Sequence, residues 1–267
     1  MTLVIWALAV GATVFGCLLS TISGLGGALL LVPLLTFVLG APQAVAVVTP
    51  VMLVNNLAKV VLMRAHVDRR ALLLLMTGAV PGAAVGAFSL GVIPGDWLQR
   101  GLGVYLIGYA ALAAWRRLKE ATAGDASLTA RQQFPEVAEG EPGRKGFGTR
   151  GHRKLIAYGT VTGVMSGATG VGGGIAATGL RDSGLSKQTF VATVGVVSIA
   201  MQLTKIPVYV GTNTLPSSLL PLAAALAGVA VLSTRMGTCL LAKMSADIFD
   251  KILLVVLFAL GITMVVR

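Results

Sequence analysis

Ser20-Thr21-Ile22-Ser23-Gly24-Leu25-Gly26-Gly27 returns 146 residues later as Ser166-Gly167-Ala168-Thr169-Gly170-Val171-Gly172-Gly173. Each copy places a serine four residues before a glycine cluster. In a chain with 34 glycines among 267 residues, glycine matches alone carry little weight. Polar residues hold the same register, however: Asn56 matches Gln202 and Lys59 matches Lys205, with Gly82 and Gly228 following without a gap. The chain therefore reads as an internal duplication, 1–115 and 155–267, joined by a polar linker over 116–154.

Around the glycine breaks the sequence is apolar. It is 55% hydrophobic and 12% charged. A soluble domain carries roughly 25% charged residues, so this chain cannot cover a globule with a wetted surface and is read as an integral membrane protein. Apolar segments cover about 3–22, 25–40, 43–63, 71–92 and 97–115, then 155–169, 171–180, 188–209, 216–242 and 249–266. A membrane helix needs about 20 residues, so the segments that follow Gly24 and Gly170 are too short or too broken for ordinary spans. The expected fold is an all-α polytopic bundle with 8–10 transmembrane segments, some of them broken or re-entrant at the glycines.

Charge sets the orientation. Nine of the 21 basic residues lie between Arg116 and Lys154, and Arg64, Arg69 and Arg70 precede the fourth segment. The positive-inside rule puts both loops in the cytoplasm and both termini in the periplasm. Five crossings per half make the repeats inverted, a layout used by many secondary carriers; four would make them parallel. The formal charge of +11 is thus an orientation signal and not a nucleic-acid footprint.

Function is read from what the apolar segments hold and lack. All ten acids (Asp68, Asp96, Glu120, Asp125, Glu136, Glu139, Glu141, Asp182, Asp247 and Asp250) lie in loops, in the linker or at segment ends. A cation carrier or proton relay usually keeps a carboxylate inside its bundle. Here the interior polar residues are neutral or positive: Asn55, Asn56, Lys59, Gln202, Thr204 and Lys205. A lysine near mid-membrane costs about 2.5–3.5 kcal/mol on insertion scales, and an anion is its simplest compensation. The competing reading has Lys59 and Lys205 snorkelling to the two interfaces. Residues at i and i+3 share a helix face, so each carboxamide and its lysine point the same way.

The glycine motifs are not phosphate loops, since no Lys-Ser/Thr follows and no strand precedes them. A glycine break that opens a new helix still exposes N–H donors at a positive dipole end. Gly24, Gly26, Gly27, Gly170, Gly172 and Gly173 are expected to supply such donors, with Ser23 and Thr169 as N-caps or hydroxyl donors. The alternative is close helix packing by small residues. Gly78, Gly82 and Gly86 form a stripe at spacing four, read as an internal helix contact in preference to a dimer interface. Pro33, Pro50 and Pro207 are read as kinks. No catalytic set, metal cluster or cofactor motif lies at bilayer depth.

Gly24-Leu25-Gly26-Gly27 with Pro33 downstream, Val54-Asn55-Asn56, and Gly170-Val171-Gly172-Gly173-Gly174 together resemble the sulfite exporter TauE/SafE family. The resemblance covers about 10–115 and 155–265. It implies a multi-pass carrier of the bacterial inner membrane, exporting sulfite, sulfoacetate or related organosulfonates. The expected partners are a small anionic substrate and the lipid bilayer, with a coupling ion (H+ or Na+) and a homodimer left open. An uptake carrier for organic acids or sulfonates, a passive anion channel and a non-transporting scaffold are the alternatives. The second half departs from the first where Gly179 stands for Pro33 and Gln202 for Asn56.

Overall fold

In lipid every backbone polar group must be satisfied within its own segment, which leaves helices as the economical solution for apolar runs such as these. The computed structural model describes residues 3–23, 28–63, 68–122, 149–172, 187–241 and 246–266. Among them no strand occurs. The helices are α1 (Leu3–Ser23), α2 (Ala28–Leu39), α3 (Ala41–Met63), α4 (Arg69–Leu90), α5 (Gly95–Thr122), α6 (Thr149–Thr169), α7 (Lys187–Gly211), α8 (Leu220–Leu241, preceded by a 3-10 turn at Ser217–Leu219) and α9 (Ala246–Val266). Three helical stretches among the described residues are long and apolar enough to cross a bilayer: Ala41–Ala58, Arg69–Leu90 and Ala192–Gly211. The polar stretch 116–154 is helical at both ends, because α5 runs on to Thr122 and α6 opens at Thr149. The expected segment 171–180 falls outside the described residues after Gly172.

Local signals set the boundaries. Gly40 adopts φ +83, which a side chain would resist, and lets α2 stop and α3 begin within one residue. Its N–H donates to the Thr36 carbonyl and its carbonyl accepts from the Ala44 N–H. Asp68 caps α4, its Oδ1 accepting from the Ala71 N–H at 2.8 Å. Asp68→Ala should cost about 0.5–2 kcal/mol while Asp68→Asn keeps most of the cap, a difference readable as a thermal-melting shift in detergent.

The two halves obey the offset of 146. It carries both ends of α1 onto those of α6 and the start of α3 onto that of α7. The main packing partners follow the same exchange: α4 packs on α6 and α1 on α8, α4 on α7 and α8 on α3. The matched pairs α3–α7 and α5–α9 pack directly on each other. Both run antiparallel. Gly195 faces Val60 whereas Tyr209 lies beside Thr49, and Gly103 faces Gly261 whereas Gln99 donates to the Met264 carbonyl.

The glycine stripe is an internal seam. A Cβ built on Gly78 would strike the Ile156 carbonyl, one on Gly82 that of Thr160, and one on Gly86 that of Val164. From the other side Gly159, Gly163 and Gly167 meet the carbonyls of Leu75, Ala79 and Ala83. Contacts advance together along both chains, so α4 and α6 run parallel, backbone against backbone. α7 runs parallel to α4 as well. The Asp68 N–H donates to Thr193 Oγ1 at one end, and Gly91 packs on Thr212 at the other.

Large apolar side chains on the outside, among them Leu73, Val85, Phe88, Val104 and Leu232, are exposed as lipid-facing residues would be. On α5, Trp97 (72% exposed) and Trp115 (59%) stand 18 residues apart on one face. That is about 27 Å at 1.5 Å per residue, close to the bilayer core of about 30 Å whose two rims tryptophan favours.

Candidate functional site

The last turn of α6 points its carbonyls along the helix axis, and α7 reaches across to two of them. These are the carbonyl of Ser166, which also accepts from the Gly170 N–H, and that of Gly167. Lys205 is fully buried and is the one charged side chain among the buried polar residues described. Its Nζ donates to the Ser166 carbonyl at 3.2 Å and to Ser166 Oγ at 3.1 Å. One turn further on, the Tyr209 hydroxyl donates to the Gly167 carbonyl. The ammonium thus sits at the negative end of the α6 dipole, partnered only by neutral oxygens. Snorkelling is ruled out for this lysine: its side chain turns inward to α6, about 9 Å of helix short of the α7 terminus.

Past α6 the chain doubles back. Gly170 takes φ +74, and a Cβ there would press on Val32 and Val45. Gly172 then lies against α6 itself, where a Cβ would come 2.6 Å from the Thr162 carbonyl and 2.8 Å from Ser166 Cβ. The second glycine break therefore brings its backbone to the face of α6 that meets Lys205. Thr169 stands at the end of α6, and the residues that would follow it in a further helix lie outside the described ones. Thr169 closes α6, its hydroxyl donating to the Met165 carbonyl at 2.7 Å and accepting from the Val171 N–H at 3.2 Å. Local bonding at a helix C-terminus consumes it, and Ser166 is the hydroxyl that meets the lysine.

The carboxamides come to the middle. Reading the antiparallel α3–α7 pair from its two contact points sets Asn55 and Asn56 at the level of Met201 and Gln202. Asn55 and Gln202 are buried, and Gln202 Oε1 has no hydrogen-bond partner. The backbone of Lys59 falls on the opposite side of this level from that of Lys205, about 10 Å along the helix axis. Gly24, Gly26, Gly27 and Gly173 lie outside the described residues, as do the side chains of Ser23 and Lys59.

A model of the sulfite exporter TauE/SafE family matches residues 8–264, nearly the whole chain. The chain belongs to the sulfite exporter TauE/SafE family. Comparisons with curated proteins and with solved structures gave no match. Membership makes this TauE/SafE chain one of a family of membrane transporters of sulfur anions, in keeping with the electropositive interior. Sequence reasoning leaves three residues out of the cluster around Lys205: Ser166, which the repeat marks only as a landmark, Thr162 and Tyr209. Nothing in an isolated sequence brings Thr162 and Ser166 near a lysine about 40 residues away, or aims Tyr209, four residues after that lysine, at the Gly167 carbonyl. The Gly159-Gly163-Gly167 stripe is legible, because it has the same spacing of four as Gly78-Gly82-Gly86.

Proposed function

We propose that this protein is a secondary carrier exporting sulfite, sulfoacetate or related organosulfonates across the bacterial inner membrane by alternating access. The observation that carries the reading is Lys205: an ammonium buried among neutral oxygens, with no carboxylate beside it among the described residues. Anionic cargo completes that environment. Gln202, Asn55 and Asn56 would orient its oxygens at mid-depth, and Gly170 and Gly172 with Gly24, Gly26, Gly27 and Gly173 would add backbone donors, with Ser23 beside them. Lys59 and Lys205 would each serve the anion from one side of that level.

Antiparallel packing of the matched helices supports inverted repeats. A two-fold axis along the membrane normal would leave α3 parallel to α7 and α5 parallel to α9; an axis in the membrane plane makes them antiparallel. With the basic loops inside, both termini are periplasmic and 116–154 is cytoplasmic. The test is efflux of radiolabelled sulfite from proteoliposomes. A carrier gives saturable efflux above that of empty vesicles, reduced in Lys59→Ala as well as in Lys205→Ala. Conductance without saturation would replace the carrier by a channel, and wild-type flux in both variants would remove the lysines from the mechanism.

A further inference from the structure

Two buried oxygens one turn below the Lys205–Ser166 contact have no partner among the described residues: Gln202 Oε1 and Thr162 Oγ1. Both residues are more than nine-tenths buried. Threonines elsewhere in these helices turn their hydroxyls onto the carbonyl four residues back, as Thr13, Thr36, Thr49, Thr160 and Thr204 do. Thr162 does not, so its hydroxyl is free of that bond. Gln202 precedes Lys205 by three residues and Thr162 precedes Ser166 by four, each on the face of its helix that carries the contact. α6 and α7 run in the same direction, so both oxygens are displaced to the same side of the ammonium, by about 4.5 and 6 Å of helical rise.

An unpartnered buried oxygen is costly, and the amide oxygen of Gln202 can only accept. An anionic oxygen cannot satisfy it; a donor must. Lys205, by contrast, has used two of its three N–H bonds on Ser166 among the described residues, leaving one for an acceptor. We infer that the buried polar site beside Lys205 recognises a monoanion that carries its own O–H or N–H donor: a charged oxygen for Lys205 and a hydrogen for Gln202 Oε1, with Thr162 Oγ1 adaptable to either. A hydrogen oxyanion or a hydroxyl-bearing sulfonate fits; a fully deprotonated dianion or a sulfonate without a donor leaves Gln202 unmatched, so of the anions proposed above hydrogensulfite is favoured and sulfoacetate is not.

This rests on the anion reading of the same site, and a binding measurement separates the two. Purified full-length protein in detergent is titrated with hydroxymethanesulfonate and with methanesulfonate, which have the same charge and differ in one hydroxyl. Affinity is read from thermal stabilisation. Expected is a preference of about ten- to a hundredfold for the hydroxylated anion, the cost of an unmatched buried acceptor, and loss of the preference in Gln202→Leu. Equal affinity, or a preference that survives Gln202→Leu, overturns the inference and leaves the anion site standing. Absence of binding by both compounds overturns both. Preferential binding without efflux in vesicles overturns transport and keeps the inference.

Discussion

Gly163→Leu will yield no stable monodisperse protein in detergent, whereas Gly228→Ala will be as stable as the wild type or slightly more so. The two glycines look alike in the sequence, each inside an apolar helical run, and the difference lies in what faces them. A Cβ on Gly163 meets the Ala79 carbonyl and comes 2.8 Å from the Ala83 nitrogen. These are backbone atoms of α4, which cannot move aside without separating the whole helix. A leucine pushes α4 off α6 along the seam that Gly78, Gly82, Gly86, Gly159, Gly163 and Gly167 form together. Overpacking a single core position costs about 1–3 kcal/mol, and this substitution also forfeits close packing at the five neighbours. Gly228 meets nothing within 4 Å, so alanine there costs no space and gains about 0.5–1 kcal/mol of helix propensity. Size-exclusion profiles and melting temperatures check both. A Gly163→Leu protein that melts like the wild type would mean the helices are not in backbone contact.

The same seam shows how the duplicated halves have diverged. At the matched positions of the other half stand Ala224, Gly228 and Leu232 on α8 and Thr13, Cys17 and Thr21 on α1. On α8 those three positions are exposed, so the α1–α8 pair does not repeat the backbone seam of α4–α6.

Much of the fold is legible in the sequence because its causes are local. Apolar runs fix helices, and the register shared by Lys59, Lys205, Asn56 and Gln202 fixes the repeat. The parts that are not legible depend on packing. Thr169 sits next to a glycine break and so reads as a cap for a helix beyond it, yet its hydroxyl bonds backward into α6. Ser166 has the same chemistry and becomes the lysine's partner because α7 crosses there. The matched glycines Gly82 and Gly228 are alike in register, but only Gly82 lies under a neighbouring backbone. Periodicity says which face is apolar; it does not say which other helix covers it.

Lys205→Met will separate stability from function. If Lys205 is only a structural cap for α6, removing it takes away two hydrogen bonds and a favourable charge at the helix terminus, each bond worth about 1.5–3 kcal/mol when the donor is charged. Melting temperature then falls, and flux falls only as the folded fraction does. The geometry argues for the opposite result. The Ser166 carbonyl already accepts from the Gly170 N–H at 3.0 Å, and the Ser166 hydroxyl has the Thr162 carbonyl four residues back to turn to. Loss of the ammonium therefore strands no partner, and methionine fills the vacated volume with an unbranched apolar chain. A buried charge whose partners are all neutral is an energetic burden to the empty protein, retained because the cargo relieves it. The expected result is unchanged or raised melting temperature together with an apparent sulfite affinity weakened by about ten- to a hundredfold, the worth of one charge-assisted hydrogen bond. Lys205→Arg should not restore it, since the larger planar guanidinium cannot replace a fully buried ammonium seated on Ser166. A destabilised Lys205→Met protein whose remaining folded fraction exports sulfite at the wild-type rate would assign the lysine to the fold and remove it from transport.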